Sequence, residues 1–111
     1  MSITPQTASE KAREICNAAP IVPVLVVEDV AHAKPLAEAL VAGGLPALEV
    51  TLRTPAALDV IRAMAEVPGG LVGAGTLLTP ADVKAAREAG ATFGVSPGAT
   101  DTLLEACEAE G

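Results

Sequence analysis

The segment Ala47-Leu48-Glu49-Val50-Thr51-Leu52-Arg53 decides the fold. Written as a β-strand, its period of two places Leu48, Val50 and Leu52 on one face and Glu49, Thr51 and Arg53 on the other. A strand in a doubly wound open sheet is normally apolar on both faces, because helices cover both. A carboxylate in the middle of this strand fits the interior of a closed barrel better, where one face packs under helices and the other is free for polar work.

Working outward, four short apolar runs recur: Ile21 to Val27, Pro46 to Leu52, Leu71 to Thr76, and Thr92 to Ser96. Each precedes a stretch of helical periodicity, so the chain reads as four βα units whose starts recur every 21 to 25 residues. Alternation of this kind implies a parallel sheet with right-handed crossovers. The helices carry matching punctuation. Asp29 can cap the first, Thr54-Pro55 and Thr79-Pro80 place a cap residue before a proline, and Thr100 precedes Asp101. Gly43-Gly44 and Gly90 stand where helices end, a place for left-handed backbone. An extra helix over residues 7–18 is expected from the Thr7-Ala8-Ser9-Glu10 capping box. Pro23 lacks a ladder donor, so either the first strand starts near Val24 or that position faces an unpaired edge.

The 111 residues allow one domain, 1–111. Half are hydrophobic and Phe93 is the single aromatic, so the core must be built from Ala, Val, Leu and Ile. Seven Lys and Arg stand against 14 Asp and Glu, a net charge of −7 with no basic cluster, which argues against nucleic acid as a partner. No apolar run approaches a membrane span, and the N-terminal residues read as neither leader nor anchor, so a soluble cytoplasmic protein is expected. Cys16 and Cys107 lie far apart with no His or Cys nearby, which excludes metal-ligand spacing and a redox pair and leaves two reduced thiols. No metal and no cofactor is expected.

Glu49 is the most informative candidate, because a carboxylate at a strand centre is costly to bury without a partner. The plain alternative is an ion pair with Arg53, but four residues along a strand span about 13 Å. Arg53 itself sits at the C-terminal strand end, where βα barrels carry their chemistry, and can grip a carboxylate; it could equally be an exposed loop residue. In Val72-Gly73-Ala74-Gly75-Thr76-Leu77-Leu78 the third glycine of a dinucleotide fingerprint is missing. Its glycines read instead as room for a ligand or neighbouring strand, with Thr76 as a hydroxyl or a plain turn residue. Phe93-Gly94-Val95-Ser96-Pro97-Gly98 ends the last strand in a rigid rim. The only histidine, His32, falls in a helix first turn, so a Ser-His-Asp triad has no support; Lys11, Lys34 and Lys84 read as surface charges.

Together, Pro20-Ile21-Val22-Pro23-Val24-Leu25-Val26-Val27, Ala39-Leu40-Val41-Ala42-Gly43-Gly44, Leu48-Glu49-Val50-Thr51-Leu52-Arg53-Thr54, Val72-Gly73-Ala74-Gly75-Thr76 and Ser96-Pro97-Gly98 resemble the 2-keto-3-deoxy-6-phosphogluconate (KDPG) aldolases, a family that includes the 4-hydroxy-2-oxoglutarate aldolases. The likeness covers essentially the whole chain but only the family's N-terminal half. It implies an α/β fold, a (βα)4 half of a TIM (βα)8 barrel, in a typically homotrimeric, metal-free, class I aldolase. Such an enzyme holds the substrate's carbonyl as a lysine Schiff base and releases pyruvate and glyceraldehyde 3-phosphate. By resemblance Glu49 is the catalytic acid/base, Arg53 and Thr76 hold the pyruvate carboxylate, and Pro97 lines the pocket. The family's lysine lies in an F-K-F-F-P-type segment on a later strand, which this sequence does not contain.

Two functions follow as expectations. The chain is either half of an aldolase, completed by a complementary half-barrel or a homo-oligomer and acting on a small keto acid, or a catalytically silent half-barrel, an assembly module or an engineered fragment. The close at Glu108-Ala109-Glu110-Gly111 falls after four complete βα units. The choice between phosphorylated KDPG and 4-hydroxy-2-oxoglutarate depends on loops expected after strands seven and eight.

Overall fold

Three of the helices start at a threonine hydroxyl. The computed structural model describes residues 2–111. The first helix, α1, spans Pro5–Asn17, because the Thr4 side chain accepts from the Thr7 N–H and Pro5 takes the first helical position. The helix therefore opens ahead of the expected residue 7, and Thr7 is a first-turn residue, not the cap. Helix α4, Pro80–Ala89, starts as expected at Thr79. Its capping box is closed by Asp82, whose carboxylate accepts from the Thr79 N–H at 3.1 Å.

Four strands form one parallel sheet in the order β1-β2-β3-β4: β1 Val24–Leu25, β2 Ala47–Thr51, β3 Leu71–Gly75 and β4 Phe93–Gly94. Helices α2 (Ala33–Ala42), α3 (Ala57–Ala65), α4 and α5 (Asp101–Glu110) follow them in turn. β1 is much shorter than the run Ile21 to Val27. Pro23 cannot donate, yet its carbonyl accepts from the Glu49 N–H at 3.1 Å, so the strand begins at Val24 and leans on the proline as acceptor only. Asp29 caps a 3₁₀ turn, Val30–His32, and not α2 itself.

Thr54, the cap that the sequence offers for α3, does not cap it. Its hydroxyl instead donates to the Val27 carbonyl at 3.0 Å, and α3 starts later, at Ala57, with no side-chain cap. That bond belongs to a set. Thr51 donates to Leu25 O at 3.3 Å, Thr92 to Val72 O at 3.2 Å and Ser96 to Leu77 O at 2.7 Å. Each ties a unit to the one before it.

The outer face of the sheet carries the core. Leu48, Val50, Val72 and Ala74 pack against Ala33 and Ala37 of α2, Val60, Ile61 and Met64 of α3, and Val83 and Ala86 of α4. Gly44 (φ 96°) and Gly90 (φ 110°) take the left-handed backbone expected at two helix ends. Among the described residues no helix is long and apolar enough to cross a membrane.

Candidate active site

The parity of β2 sets Glu49 and Thr51 opposite the packed face. Both are buried, Glu49 at 8% and Thr51 at 1% exposure. Glu49 stands in register with Gly73 of β3, and Gly73 in turn with Phe93 of β4. At Gly73 and Gly75 the inner surface of β3 is bare, so its neighbours' side chains lie across it. A Cβ at Gly73 would collide with the Phe93 ring, and a Cβ at Gly75 would collide with the Glu49 carboxylate.

Burial pushes the Glu49 carboxyl above the usual carboxylate range, and the Arg53 guanidinium, acting through space, pulls part of that rise back. No ion pair joins Glu49 and Arg53 among the described residues; Arg53 is exposed in the turn after β2. It is close enough to tune the carboxylate and free to meet an anion.

Thr76 follows β3 directly and holds φ 64°, the one non-glycine residue among those described with left-handed backbone. For a β-branched residue this conformation is strained, at about 1–3 kcal/mol, and such strain gathers where side chains are aimed for a purpose. The Leu52 N–H donates to Gly75 O at 2.9 Å, so the turn carrying Arg53 and the turn carrying Thr76 leave the sheet side by side. Pro97 is exposed in the turn after β4, where the Ser96 hydroxyl binds both Leu77 O and Gly98 O. Glu49, Arg53, Thr76 and Pro97 thus lie along the inner face and C-terminal rim of three consecutive strands.

A groove of about 500 Å³ lies elsewhere, between α1, α4, α5 and the β4 edge, and none of those four residues lines it. Sequence reasoning did not single out Thr51 or Phe93 for the site. Parity with Glu49 was the available signal for Thr51; for Phe93 there was none, because its ring matters only through the register with Gly73.

The lysines are not on this face. Lys34 pairs with Glu66 at 2.5 Å, Lys84 stands 4.0 Å from Glu88 on α4, and Lys11 is exposed on α1. Among the described residues no cluster of His, Cys, Asp and Glu could hold a metal ion.

The family model for KDPG and KHG aldolase matches residues 12–111. The chain belongs to this aldolase family. It is 61% identical over 89 residues to a 2-dehydro-3-deoxy-phosphogluconate aldolase of Zymomonas mobilis, a match covering 80% of this chain and 43% of that one. It is 55% identical over 96 residues to the KHG/KDPG aldolase of Escherichia coli K12, covering 86% and 45%. A crystal structure of the 2-keto-3-deoxy-6-phosphogluconate aldolase from Zymomonas mobilis superposes with TM-score 0.85 at 56% identity, covering 88% of this chain and 48% of that one. A KDPG aldolase from Legionella pneumophila, solved with pyruvate captured as a covalent carbinolamine, matches with TM-score 0.78 at 46% identity, over 83% and 45%. The chain spans under half the length of these aldolases, and its four βα units are a half-barrel of their fold.

Proposed function

We propose that this chain carries the acid/base and carboxylate-binding half of a class I aldolase site that acts on a 2-keto acid. The observation that carries the reading is the buried Glu49 carboxyl, held on the inner face below a rim that bears Arg53 and Thr76. In an aldol cleavage of this class an amine adds to the keto carbonyl, the carbinolamine loses water to form an imine, and the carbon–carbon bond breaks to release an aldehyde. The enamine left behind is protonated and hydrolysed to pyruvate. Every stage moves a proton near one carbon, which suits a carboxyl whose proton affinity burial has raised. Arg53 and the Thr76 hydroxyl are the groups for the keto acid's carboxylate, and Pro97 is wall. KDPG is the substrate favoured by the names of the relatives, with 4-hydroxy-2-oxoglutarate the second candidate.

The amine comes from outside these four units, because Lys11, Lys34 and Lys84 all lie on outer helices. A complementary half-barrel would supply it. The exposed Val24 and Val26 at the β1 edge, at 57% and 52%, support such an association. A cytoplasmic setting fits two free cysteines, Cys16 and Cys107. A silent assembly module is the competing reading, and it gives the strained Thr76 and the buried Glu49 nothing to do.

Incubation with pyruvate and borohydride, read by intact mass, tests this. The chain alone should gain no adduct. Mixed with the C-terminal half of the Zymomonas mobilis aldolase, it should form a complex in which that half carries the reduced pyruvate. An adduct on Lys11, Lys34 or Lys84 would refute the shared site, and a stable complex with no adduct would refute the aldolase reading.

A further inference from the structure

The Glu49 side chain leaves β2 opposite Gly73, yet its carboxyl lies over Gly75, two residues nearer the rim. The side chain therefore runs diagonally across the strand gap instead of standing upright. An upright carboxyl would project into the open interior; this one is laid against β3 and aimed at the edge where Arg53 and Thr76 stand. What permits the diagonal is the empty place at Gly75. A Cβ there would meet Oε1 and lie 2.9 Å from Cδ and 3.0 Å from Cγ, and these are its three nearest atoms. Backbone conformation does not demand glycine here, since Gly75 is absent from the positive-φ residues. The requirement comes from Glu49.

We infer that Gly75 is a positioning residue, whose missing side chain forms the seat that holds the Glu49 carboxyl against β3 and points it at the rim. Gly73 serves the Phe93 ring in the same way. The alternation Gly73-Ala74-Gly75 then has a cause on each face: Ala74 completes the core beneath, while the two glycines receive the neighbours' side chains above. The seat also accounts for the burial that raises the carboxyl's proton affinity, since the strand surface replaces water on one side of it.

The consequence for turnover rests on the acid/base reading of Glu49; the seat itself does not, so its test reads the carboxyl directly. A ¹³C NMR titration of the Glu49 carboxyl should give a raised midpoint in the unmodified chain. In Gly75→Ala the midpoint should fall to the ordinary glutamate range, about 4.3, as the carboxyl is driven into solvent. A folded Gly75→Ala that keeps the raised midpoint, or an unmodified chain with an ordinary one, overturns the proposal. Thermal denaturation supplies the second arm. At acid pH, where the protonated carboxyl carries no burial penalty, Gly75→Ala should lower the melting temperature when Glu49 is present and much less in a Glu49→Ala background. If Gly75→Ala does not fold, recovery of folding in the double variant supports the seat, and an equal loss in both backgrounds overturns it. Failure of the aldolase reading would appear as unchanged turnover of Glu49→Gln in a completed barrel and would leave both of these readouts as they are.

Discussion

The two faces of β2 and β3 are made by alternate residues of the same ten positions and obey opposite rules. Outward, Leu48, Val50, Val72 and Ala74 fill space under the helices, and almost nothing of them is left accessible. Inward, Gly73 and Gly75 leave space unfilled, and Glu49, Thr51 and Phe93 lie in or around it. One face gains stability from volume, the other gains placement from its absence. A core position therefore tolerates another hydrophobic residue of like size, whereas at Gly75 even a methyl group would oblige the Glu49 side chain to move.

That contrast can be attacked from either side. The largest expected effect is on the outer face. Leu48 is fully buried, and Leu48→Ala should cost about 3 kcal/mol through lost transfer energy and the cavity left behind, a large part of what a domain of this size has. Urea denaturation measures it, and a cost below about 1 kcal/mol would mean that the helices do not depend on this strand.

Next is Glu49→Gln. In a completed barrel it should reduce kcat by about 10²–10⁴-fold while leaving the fold intact. Its stability should change in the opposite sense to a core mutation. Because burial raises the folded-state pKa of Glu49, that carboxyl contributes its stability at pH values below its unfolded pKa and loses it as pH rises through the folded one. At neutral pH Gln should be as stable as Glu or more so, and denaturation at acid and neutral pH should show the Glu49-dependent slope removed. A slope of the reverse sign would mean the carboxylate is stabilised by partners absent from this structure.

The smallest is Thr76→Gly, which relieves left-handed strain and loses some of the gain to glycine's freedom when unfolded. The net should be a stabilisation of about 1 kcal/mol, accompanied in the completed barrel by a rise in KM for the keto acid. Loss of stability would show that Thr76 is held by contacts and not against strain.

How far these features could be read from the residues alone differs between the same two faces. The outer face and the unit rhythm were legible, because hydrophobic alternation in Leu48, Val50 and Leu52 and the cap at Thr79 act locally. The position of Glu49 on the inner face was legible too, since parity places it once the strand is accepted. What escaped was whatever depended on a second strand. Thr54 looked like a helix cap until the Val27 carbonyl, 27 residues away, took its hydroxyl. Val22 and Val26 looked like strand, but Pro23 and the short pairing with β2 confine β1 to two residues. Even Thr7, a convincing local signal, yielded to Thr4 followed by Pro5.

The side-chain stitches between units have a direction. Thr51, Thr54, Thr92 and Ser96 all donate to carbonyls that precede them in sequence, by 26, 27, 20 and 19 residues. A polypeptide is made from its N-terminus, so every one of these hydroxyls leaves the ribosome after the acceptor it needs. Each βα unit can therefore be fastened as it emerges, onto a surface already present, and none of these four bonds has to wait for residues still to be translated.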